Sequence, residues 1–249
     1  MIEYLYRRNT VLETLRGSRR ILHRLWFQKG LRQVDQIVDS AQRKGIPIES
    51  ATKSQLTDLT DDSSHQGVVL EVGPFRYSEV DDMLALAAER GEMPLLLLLD
   101  LLHGPRNIGT LLRTAEVCGV HGVIVQDRRA PDITPHVVIY SAGAAEHLLI
   151  AQVTNLVQTI QKLKAADVWV AGLDLSSKAD RLGRVDLNLP VGIVVGNEGS
   201  GLRRLVRESC DFLLELPMRG HVGSLNAATA GAITLYAAWQ ARGFEGASK

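Results

Sequence analysis

The sequence holds little of what would place it in several common classes of protein. Of its 249 residues only two are cysteines, Cys118 and Cys210, which are too few for a disulfide framework and have no zinc-ligand spacing. No apolar run approaches the ~20 residues that span a bilayer, and the longest, Leu95–Leu99, is broken by Asp100. The first residues lack the apolar core of a signal peptide. We therefore expect a cytoplasmic protein with neither a membrane span nor a bound metal.

What is present is typical of a globular protein: 45% apolar residues, 22% charged residues and no net charge at pH 7. The charge is unevenly spread, since residues 1–32 hold eight Lys and Arg against two Asp and Glu, and residues 1–76 carry a net charge of +3. A basic segment suits a polyanion such as RNA, because phosphate contacts supply much of the affinity for nucleic acids. The same pattern also fits a solvated basic helix face.

The N-terminal third alternates helical and strand patterns. Its apolar spacing predicts helices over residues 9–15 and 33–44 and strands over 21–27, 46–48 and 67–72. Gly73 and Pro74 then punctuate the chain. We predict a small αβαβ domain over residues 1–74, followed by a linker over 75–93 that contains one short helix, 80–90.

From Pro94 onward, apolar strands alternate with amphipathic helices, and we predict one domain over residues 94–249. The predicted strands are 95–100, 122–126, 168–173, 191–196 and 212–216, and the predicted helices are 108–118, 156–165, 202–208 and 225–242. This alternation indicates an α/β fold with a mostly parallel sheet covered by helices on both faces. Ligands bind such sheets beyond the carboxyl ends of the strands, so the loops there are the candidate site.

The first polar loop spans residues 103–109 and leads into a helix that carries Arg113. Gly104 and Pro105 favour a tight turn, and Asn107 is of a type that caps helices. Arg113 lies about two turns into the helix. The pattern fits a ligand-binding loop, and it also fits an ordinary helix cap followed by a surface arginine.

Two further loops are rich in glycine. Residues 196–201 contain three glycines, which let the backbone approach a ligand closely, but they lack the dinucleotide fingerprint and the P-loop lysine. Glu198 within them fits either a ligand contact or an acid at the start of a helix. Residues 216–226 join an apolar Leu-Pro-Met run to Ser224 and Asn226, either of which can cap the last helix. The apolar run would also suit an aromatic ring and a thioether.

In this order and spacing, the three loops resemble the signature motifs of the SpoU (TrmH) family of RNA ribose 2′-O-methyltransferases. Residues 104–114 resemble the first motif, D-P-x-N-x-G-x-x-x-R-T, and residues 196–201 resemble the second, G-x-E-G-x-G. Residues 216–228 resemble the third, I-P-M-x-G-x-x-x-S-L-N-V-S. The small-residue turn at 141–147 and the N-terminal segment that ends in His65-Gln66-Gly67-Val68 also look like parts of the family.

The resemblance implies several properties that composition alone does not suggest. It implies a deep trefoil knot at the C-terminal end of the α/β domain, a homodimer through the knotted region, and S-adenosyl-L-methionine as the cofactor. It makes the small N-terminal α/β domain an RNA-binding one. The two-domain layout is most like the bacterial enzymes that methylate a guanosine ribose in 23S rRNA, while a tRNA ribose and an antibiotic-resistance site on rRNA remain alternatives.

The resemblance also assigns roles to residues. It assigns catalysis to Asn107, Arg113, Glu198, Ser224 and Asn226. It assigns cofactor binding to Leu173, Gly196, Asn197, Gly201, Leu216, Met218, Ser224 and Leu225. The family proposal makes the arginine a base towards the 2′-hydroxyl. Because a guanidinium gives up its proton so reluctantly, a grip on the phosphate beside the target ribose is the alternative role for Arg113.

The chain departs from the family pattern at two positions. Gly104 stands where the first motif usually has Asp, and Ala228 stands where the third usually has Ser. These departures bear on the detail of the site and not on the reaction class. A relative that binds RNA without catalysis is a second hypothesis, and the retention of the five catalytic residue types argues against it. A nicotinamide-dependent oxidoreductase is disfavoured, because the chain lacks the fingerprint after its first α/β strand.

Overall fold

The computed structural model describes residues 2–17, 19–32, 34–127, 132–176 and 178–247. The chain forms two compact units. One comprises Met1–Arg76 and Ile133–His147, and the other comprises Tyr77–Asp132 and Leu148–Lys249. The chain therefore passes between the units three times. Among the described residues, no helix combines the length and apolar character that a bilayer span requires.

The first unit contains a four-stranded sheet. Its elements are β1 (Glu3–Tyr6), α1 (Arg8–Arg16), β2 (Leu22–Gln28), α2 (Asp35–Arg43), β3 (Ile48–Ala51), α3 (Lys53–Thr60), β4 (Val68–Val72), α6 (Pro135–Tyr140) and a 3₁₀ helix (Ala144–Glu146). The strand order is β1-β4-β2-β3, with β4 antiparallel to β1 and β2, and β2 parallel to β3.

The predicted αβαβ pattern of this unit omitted β1 and α3. The first is only four residues long, and the second buries a single residue, Leu56, so neither has a clear apolar periodicity. The helix predicted from residue 33 begins at Asp35, and Gln33 itself lies outside the described residues.

A buried ion-pair cluster binds the distant segment into the first unit. The side chain of Arg20 is fully buried, and its Nε donates to Oε1 of Glu146 at 2.7 Å. The same guanidinium pairs with the carboxylate of Glu3 and donates to the carbonyl of Gly73 at 3.2 Å. Burial raises the pKa of Glu146, and the charge of Arg20 opposes that shift. Residues 133–147 are thus part of the interior of this unit.

The second unit contains a seven-stranded sheet. Its elements are α4 (Val80–Arg90), β5 (Leu95–Leu99), α5 (Pro105–Val117), β6 (Gly122–Gln126), β7 (Ile150–Val153), α7 (Leu156–Ala165), β8 (Trp169–Leu173), β9 (Asp180–Arg181), β10 (Val191–Val195), α8 (Arg204–Ser209), β11 (Phe212–Glu215) and α9 (Ala227–Ala241). The order is β7-β6-β5-β10-β8-β11-β9, and every described pair is parallel. The α/β class and the parallel sheet are confirmed, whereas the trefoil knot stays a prediction.

Helices cover both faces of this sheet, as its fully buried central strands require. On one face Met83 of α4 packs with residues of α7 and α8. A Cβ at Gly122 would lie 2.1 Å from the sulfur of Met83, so glycine is what allows this helix to pack so closely. The predicted linker over 75–93 therefore contains the expected helix, but that helix is a core element of the second unit.

The opposite face carries α5 and α9, which pack against each other. The side chain of Val194 packs in the same core as Met83, on the first face of the sheet. Because side chains alternate along a strand, Val195 points to the opposite face. A Cβ at Gly231 of α9 would lie 2.6 Å from Leu111 of α5 and 2.9 Å from Val195. Glycine at this position thus brings the start of α9 close to α5 and β10, whose loops form the candidate site.

Candidate active site

A cavity of about 350 Å³ opens within the second unit beyond the carboxyl ends of β8, β10 and β11. The eight residues predicted to bind a cofactor all line it: Leu173, Gly196, Asn197, Gly201, Leu216, Met218, Ser224 and Leu225. They come from three separate segments: the end of β8, the loop after β10 and the loop after β11. The parallel sheet brings them together because it places the carboxyl ends of all three strands at one edge.

The loop over residues 196–201 is closed by its own backbone. The N–H of Asn197 donates to the carbonyl of Gly201 at 3.1 Å, and the reverse bond is 3.0 Å long. The side chain of Asn197 accepts from the N–H of Gly199 at 2.9 Å and donates to the carbonyl of Leu101 at 3.0 Å. A Cβ at Gly196 would lie 2.4 Å from Gly201, so the turn requires glycine there. Asn197 therefore shapes the cavity wall as well as lining it.

A chain of three polar side chains connects the loops. Oδ1 of Asn226 caps α9 by accepting from the N–H groups of Ala228 (2.9 Å) and Thr229 (3.2 Å). Its Nδ2 is thereby turned towards Asn107 and donates to Oδ1 of that residue at 3.2 Å. Nδ2 of Asn107 in turn donates to Oε1 of Glu198. We call Asn226, Asn107 and Glu198 the amide relay. Three of the predicted catalytic residues are thus in direct contact.

The other two predicted catalytic residues lie elsewhere. Ser224 lines the cavity together with Glu198. Arg113 is exposed on α5 and does not line the cavity. It follows Asn107 by six residues, which in an α-helix corresponds to about 9 Å along the axis and about 120° around it. The structure therefore brings four of the five residues to the cavity or the amide relay and leaves Arg113 beside it.

The two departures from the family pattern lie on opposite sides of the relay. A Cβ at Gly104 would lie 3.5 Å from both Asn107 Nδ2 and Glu198 Oε1, so an aspartate there would place a second carboxylate beside Glu198. Ala228 is buried in the first turn of α9, where its N–H donates to Asn226. The capping bond is made by the backbone and does not need a hydroxyl at this position.

Two ion pairs at this edge of the sheet were not predicted from the sequence. Asp100, directly after β5, accepts from the backbone N–H of Arg203 at 2.8 Å and from its Nε at 2.7 Å, and the same guanidinium donates to Gln126 at 3.0 Å. Asp174, directly after β8, pairs with Arg207. The available signal was a carboxylate immediately after a buried apolar strand. Its distant basic partner has no local signal.

Charge in the cavity wall favours a cation. Of the lining residues that the structure describes, Asp174, Glu198 and Arg207 are charged, which gives a net charge of −1. Most of the rest of the wall is aliphatic side chain and glycine backbone. The described residues contain no group of three His, Cys, Asp or Glu side chains that would hold a metal ion. The wall suits a ligand that is largely apolar, polar at a few points and positively charged.

The fold and the cavity define an α/β protein that takes a small ligand beyond the carboxyl ends of parallel strands. Residues 94–236 match the SpoU rRNA Methylase family, and residues 4–78 match the domain described as RNA 2′-O ribose methyltransferase substrate binding. The chain belongs to the SpoU methylase family, and it is an RNA methyltransferase.

Relatives and solved structures agree with that assignment. The chain is 39% identical over 242 residues to the TrmH family tRNA/rRNA methyltransferase YacO of Bacillus subtilis, covering 96% of each protein. It is 38% identical over 214 residues to a TrmH family tRNA/rRNA methyltransferase of Staphylococcus saprophyticus, covering 86% of this chain and 85% of that protein. Among solved structures, AviRb of Streptomyces viridochromogenes in complex with AdoMet is similar in fold, with a TM-score of 0.80 and 23% identity over 97% of this chain and 90% of AviRb.

Proposed function

We propose that this protein transfers a methyl group from S-adenosyl-L-methionine to a ribose 2′-oxygen of RNA, and that its target is a guanosine of 23S rRNA. The observation that carries the proposal is the convergence of residues 173, 196–201 and 216–225 on one cavity with the amide relay at its side. The match of residues 4–78 to a 2′-O ribose methyltransferase substrate-binding domain supports the position of the methyl group.

S-adenosyl-L-methionine fits the residues present. It carries no phosphate, and the glycine-rich loop has no lysine of the kind that phosphate-binding loops use. Its sulfonium is a cation, which suits a wall of net charge −1. When bound, the cofactor supplies an electrophilic methyl group. The backbone and apolar side chains at Leu173, Gly196, Leu216, Met218 and Leu225 would hold its nucleoside part, a role that AdoMet-bound AviRb makes reasonable.

The chain's own polar residues would position the substrate. The amide relay fixes Glu198, because Asn107 donates to its carboxylate and is itself held by the helix cap Asn226. Ser224 lies in the cavity wall near the same end. Arg113, exposed on the adjacent helix, would grip the phosphate next to the target ribose through its forked guanidinium. The 2′-oxygen would then be held in line with the transferred methyl group, which is where positioning contributes most to such a reaction.

The first unit would bind RNA, and the second would form a homodimer. Two basic side chains near the N-terminus are already paired within the unit, Arg16 with Glu13 and Arg24 with Glu49, so not all twelve Lys and Arg of residues 1–76 are available for phosphate. On α9, Ile233 and Tyr236 are 42% and 48% exposed, and the exposed ring of Phe244 lies 5.7 Å from that of Tyr236; a second copy of the chain would cover this apolar surface. Sedimentation at several concentrations tests the dimer.

Methyl transfer to RNA tests the proposal directly. Purified protein is incubated with methyl-labelled S-adenosyl-L-methionine and with total RNA from a strain that lacks the gene. We expect label in 23S rRNA and an alkali-resistant dinucleotide at the modified site, because a 2′-O-methyl group removes the hydroxyl that alkaline cleavage needs. Label released as a methylated base, with all linkages alkali-sensitive, would refute 2′-O-methylation.

A tRNA ribose is the second candidate substrate. It is favoured by the names of the relatives, which are described as tRNA/rRNA methyltransferases. The same assay separates the two, since 23S rRNA and tRNA fractions are resolved by size before the label is counted. RNA from the parent strain is the control, because its site is already methylated and should accept little label.

A further inference from the structure

The wall of the cavity next to β8 carries a carboxylate, that of Asp174. Asp174 lines the cavity, and its side chain is only 10% exposed. Its Oδ1 accepts from the backbone N–H of Ser176 at 2.8 Å. Its Oδ2 accepts no hydrogen bond from the described residues, and the buried hydroxyl of Ser176 is also without a hydrogen-bond partner among them. Because buried polar atoms are normally satisfied, the carboxylate of Asp174 keeps acceptor capacity for a ligand group in the cavity.

The charge of Asp174 is already balanced. Nε of Arg207 lies 2.5 Å from Oδ2 of Asp174, although the pair is not aligned as a hydrogen bond. The guanidinium of Arg207 also donates to the carbonyl of Leu202 at 3.4 Å, which holds it at the wall. A carboxylate neutralised in this way gains little from a second cation. It remains a strong acceptor for neutral O–H donors, and a ribose offers two of these side by side.

The strand order separates Asp174 from the amide relay. β10, which leads into the loop with Glu198, lies between β5 and β8. Asn107 binds Glu198 from the helix that follows β5, whereas Asp174 follows β8 on the other side of β10. A ligand whose reacting end lies at Glu198 therefore extends over β8 with the rest of its length. There the wall is apolar at Leu173, Leu175 and Leu214, which suits a purine ring.

We propose that Asp174 accepts hydrogen bonds from the ribose hydroxyls of the methyl donor and that Arg207 acts as its positioning residue. The inference rests on the proposed function, since it assumes a donor with a nucleoside. It makes Asp174 a determinant of cofactor affinity and gives it no part in methyl transfer.

Calorimetry with two ligands tests this assignment. S-adenosylhomocysteine contains the ribose and the amino-acid part, whereas 5′-methylthioadenosine contains the ribose without the amino-acid part. We expect Asp174→Asn to weaken both by a similar factor of about ten or more, because a hydrogen bond to a charged group is lost in each case. The matched control is Asp211→Asn. Asp211 holds the opposite end of β8 through Val170, pairs with Lys164 and does not line the cavity. The Asp211→Asn substitution should change both affinities by less than two-fold.

A second experiment changes the ligand by removing one ribose hydroxyl at a time. The 2′-deoxy and 3′-deoxy forms of 5′-methylthioadenosine should bind the wild-type chain less tightly than the parent compound, and Asp174→Asn should reduce that difference. Weakening of S-adenosylhomocysteine alone would place Asp174 at the amino-acid part and overturn the proposal, as would unchanged affinities. If the wild-type chain binds neither ligand, the proposed function itself fails, and the two failures are thereby distinguished.

Discussion

Asp100, directly after β5, accepts hydrogen bonds from both the backbone N–H and the guanidinium of Arg203, which follows the glycine-rich loop. The carboxylate is fully buried, and the guanidinium reaches on to Gln126 at the end of β6. At the start of the loop, the side chain of Asn197 donates to the carbonyl of Leu101, the residue after Asp100. The loop is therefore held at its start by Leu101 and at its end by Asp100, two adjacent residues of the β5–α5 connection.

Replacing Asp100 by Asn should weaken both of its hydrogen bonds with Arg203. Asn keeps the size of the side chain but loses the charge that strengthens both hydrogen bonds, each of which is worth about 1.5–3 kcal/mol when one partner is charged. We expect a fall in unfolding free energy of about 2 kcal/mol or more and weaker binding of S-adenosylhomocysteine. Chemical denaturation and calorimetry measure the two effects. Glu208→Gln, which breaks the exposed pair with Arg204, is the control and should cost less than about 1 kcal/mol.

Arg113→Ala should separate methyl transfer from cofactor binding. The residue is exposed on α5 and does not line the cavity, so its loss should leave the affinity for S-adenosylhomocysteine within a few-fold. Turnover should fall by 100-fold or more if the guanidinium holds the phosphate beside the reacting ribose, about 2.7 kcal/mol of transition-state stabilisation. Arg204→Ala, an exposed arginine on α8, is the matched control. Unchanged turnover in Arg113→Ala would remove it from the mechanism.

Replacing a single amide nitrogen of the amide relay by oxygen should lower turnover strongly. In Asn107→Asp the side chain still accepts from Asn226, but it no longer donates to Glu198 and instead places a second carboxylate against it. We expect turnover to fall by 10-fold or more while the fold is kept. Steady-state kinetics with RNA and a thermal melt report the two quantities. Asn188→Asp, on an exposed stretch outside the cavity, changes the same atoms and should have no effect on turnover.

Buried His121 should make the protein less stable in mild acid. Its Nδ1 accepts from the N–H of Leu95 at 3.0 Å, so the proton is on Nε2, which contacts Glu92 at 2.9 Å. Burial lowers the pKa of His121 in the folded chain. As pH falls below ~6.5, the unfolded chain takes up a proton that the folded chain does not, and stability falls by up to about 1.4 kcal/mol per pH unit.

A comparison of denaturation at pH 7.5 and pH 5.5 measures this effect. His121→Asn keeps an acceptor for the N–H of Leu95 but does not titrate, so it should lose less stability than the wild type between the two values. Carboxylates that do not contact His121 contribute equally to both proteins and cancel in the difference. Equal losses would show that His121 does not govern the acid sensitivity.

The sequence was informative where a strong periodicity met a known structural rule. The buried runs at Leu95–Leu99 and Val191–Val195 predicted parallel strands, and the rule that parallel strands expose their carboxyl ends at one edge predicted which loops meet. Short or polar elements were missed, including Asp180–Arg181, which pairs with Leu214 and Glu215 without any apolar pattern of its own.

Long-range polar pairing could not be predicted from the sequence. The types of residue in the amide relay were expected, but nothing local indicates that Asn226 would bond to Asn107, 119 positions away. The same holds for Arg20 and Glu146, which are 126 positions apart. The Arg20–Glu146 pair forms because burial leaves no water to satisfy either partner, whereas the exposed Asn226–Asn107 bond forms because the folded loops bring the two side chains together. Both conditions exist only once the chain has folded.

The first unit is built from two separate stretches of the chain, which has a practical consequence for limited proteolysis and for chimeras. A protease that nicks the chain after Arg76 would not release an N-terminal fragment, since Arg20 of that fragment, itself paired with Glu3, stays bound to Glu146. The two pieces should co-elute on gel filtration and separate only in denaturant. A chimera that exchanges RNA recognition with a relative must likewise transplant residues 133–147 together with the N-terminal segment, or it will leave buried charges unpaired.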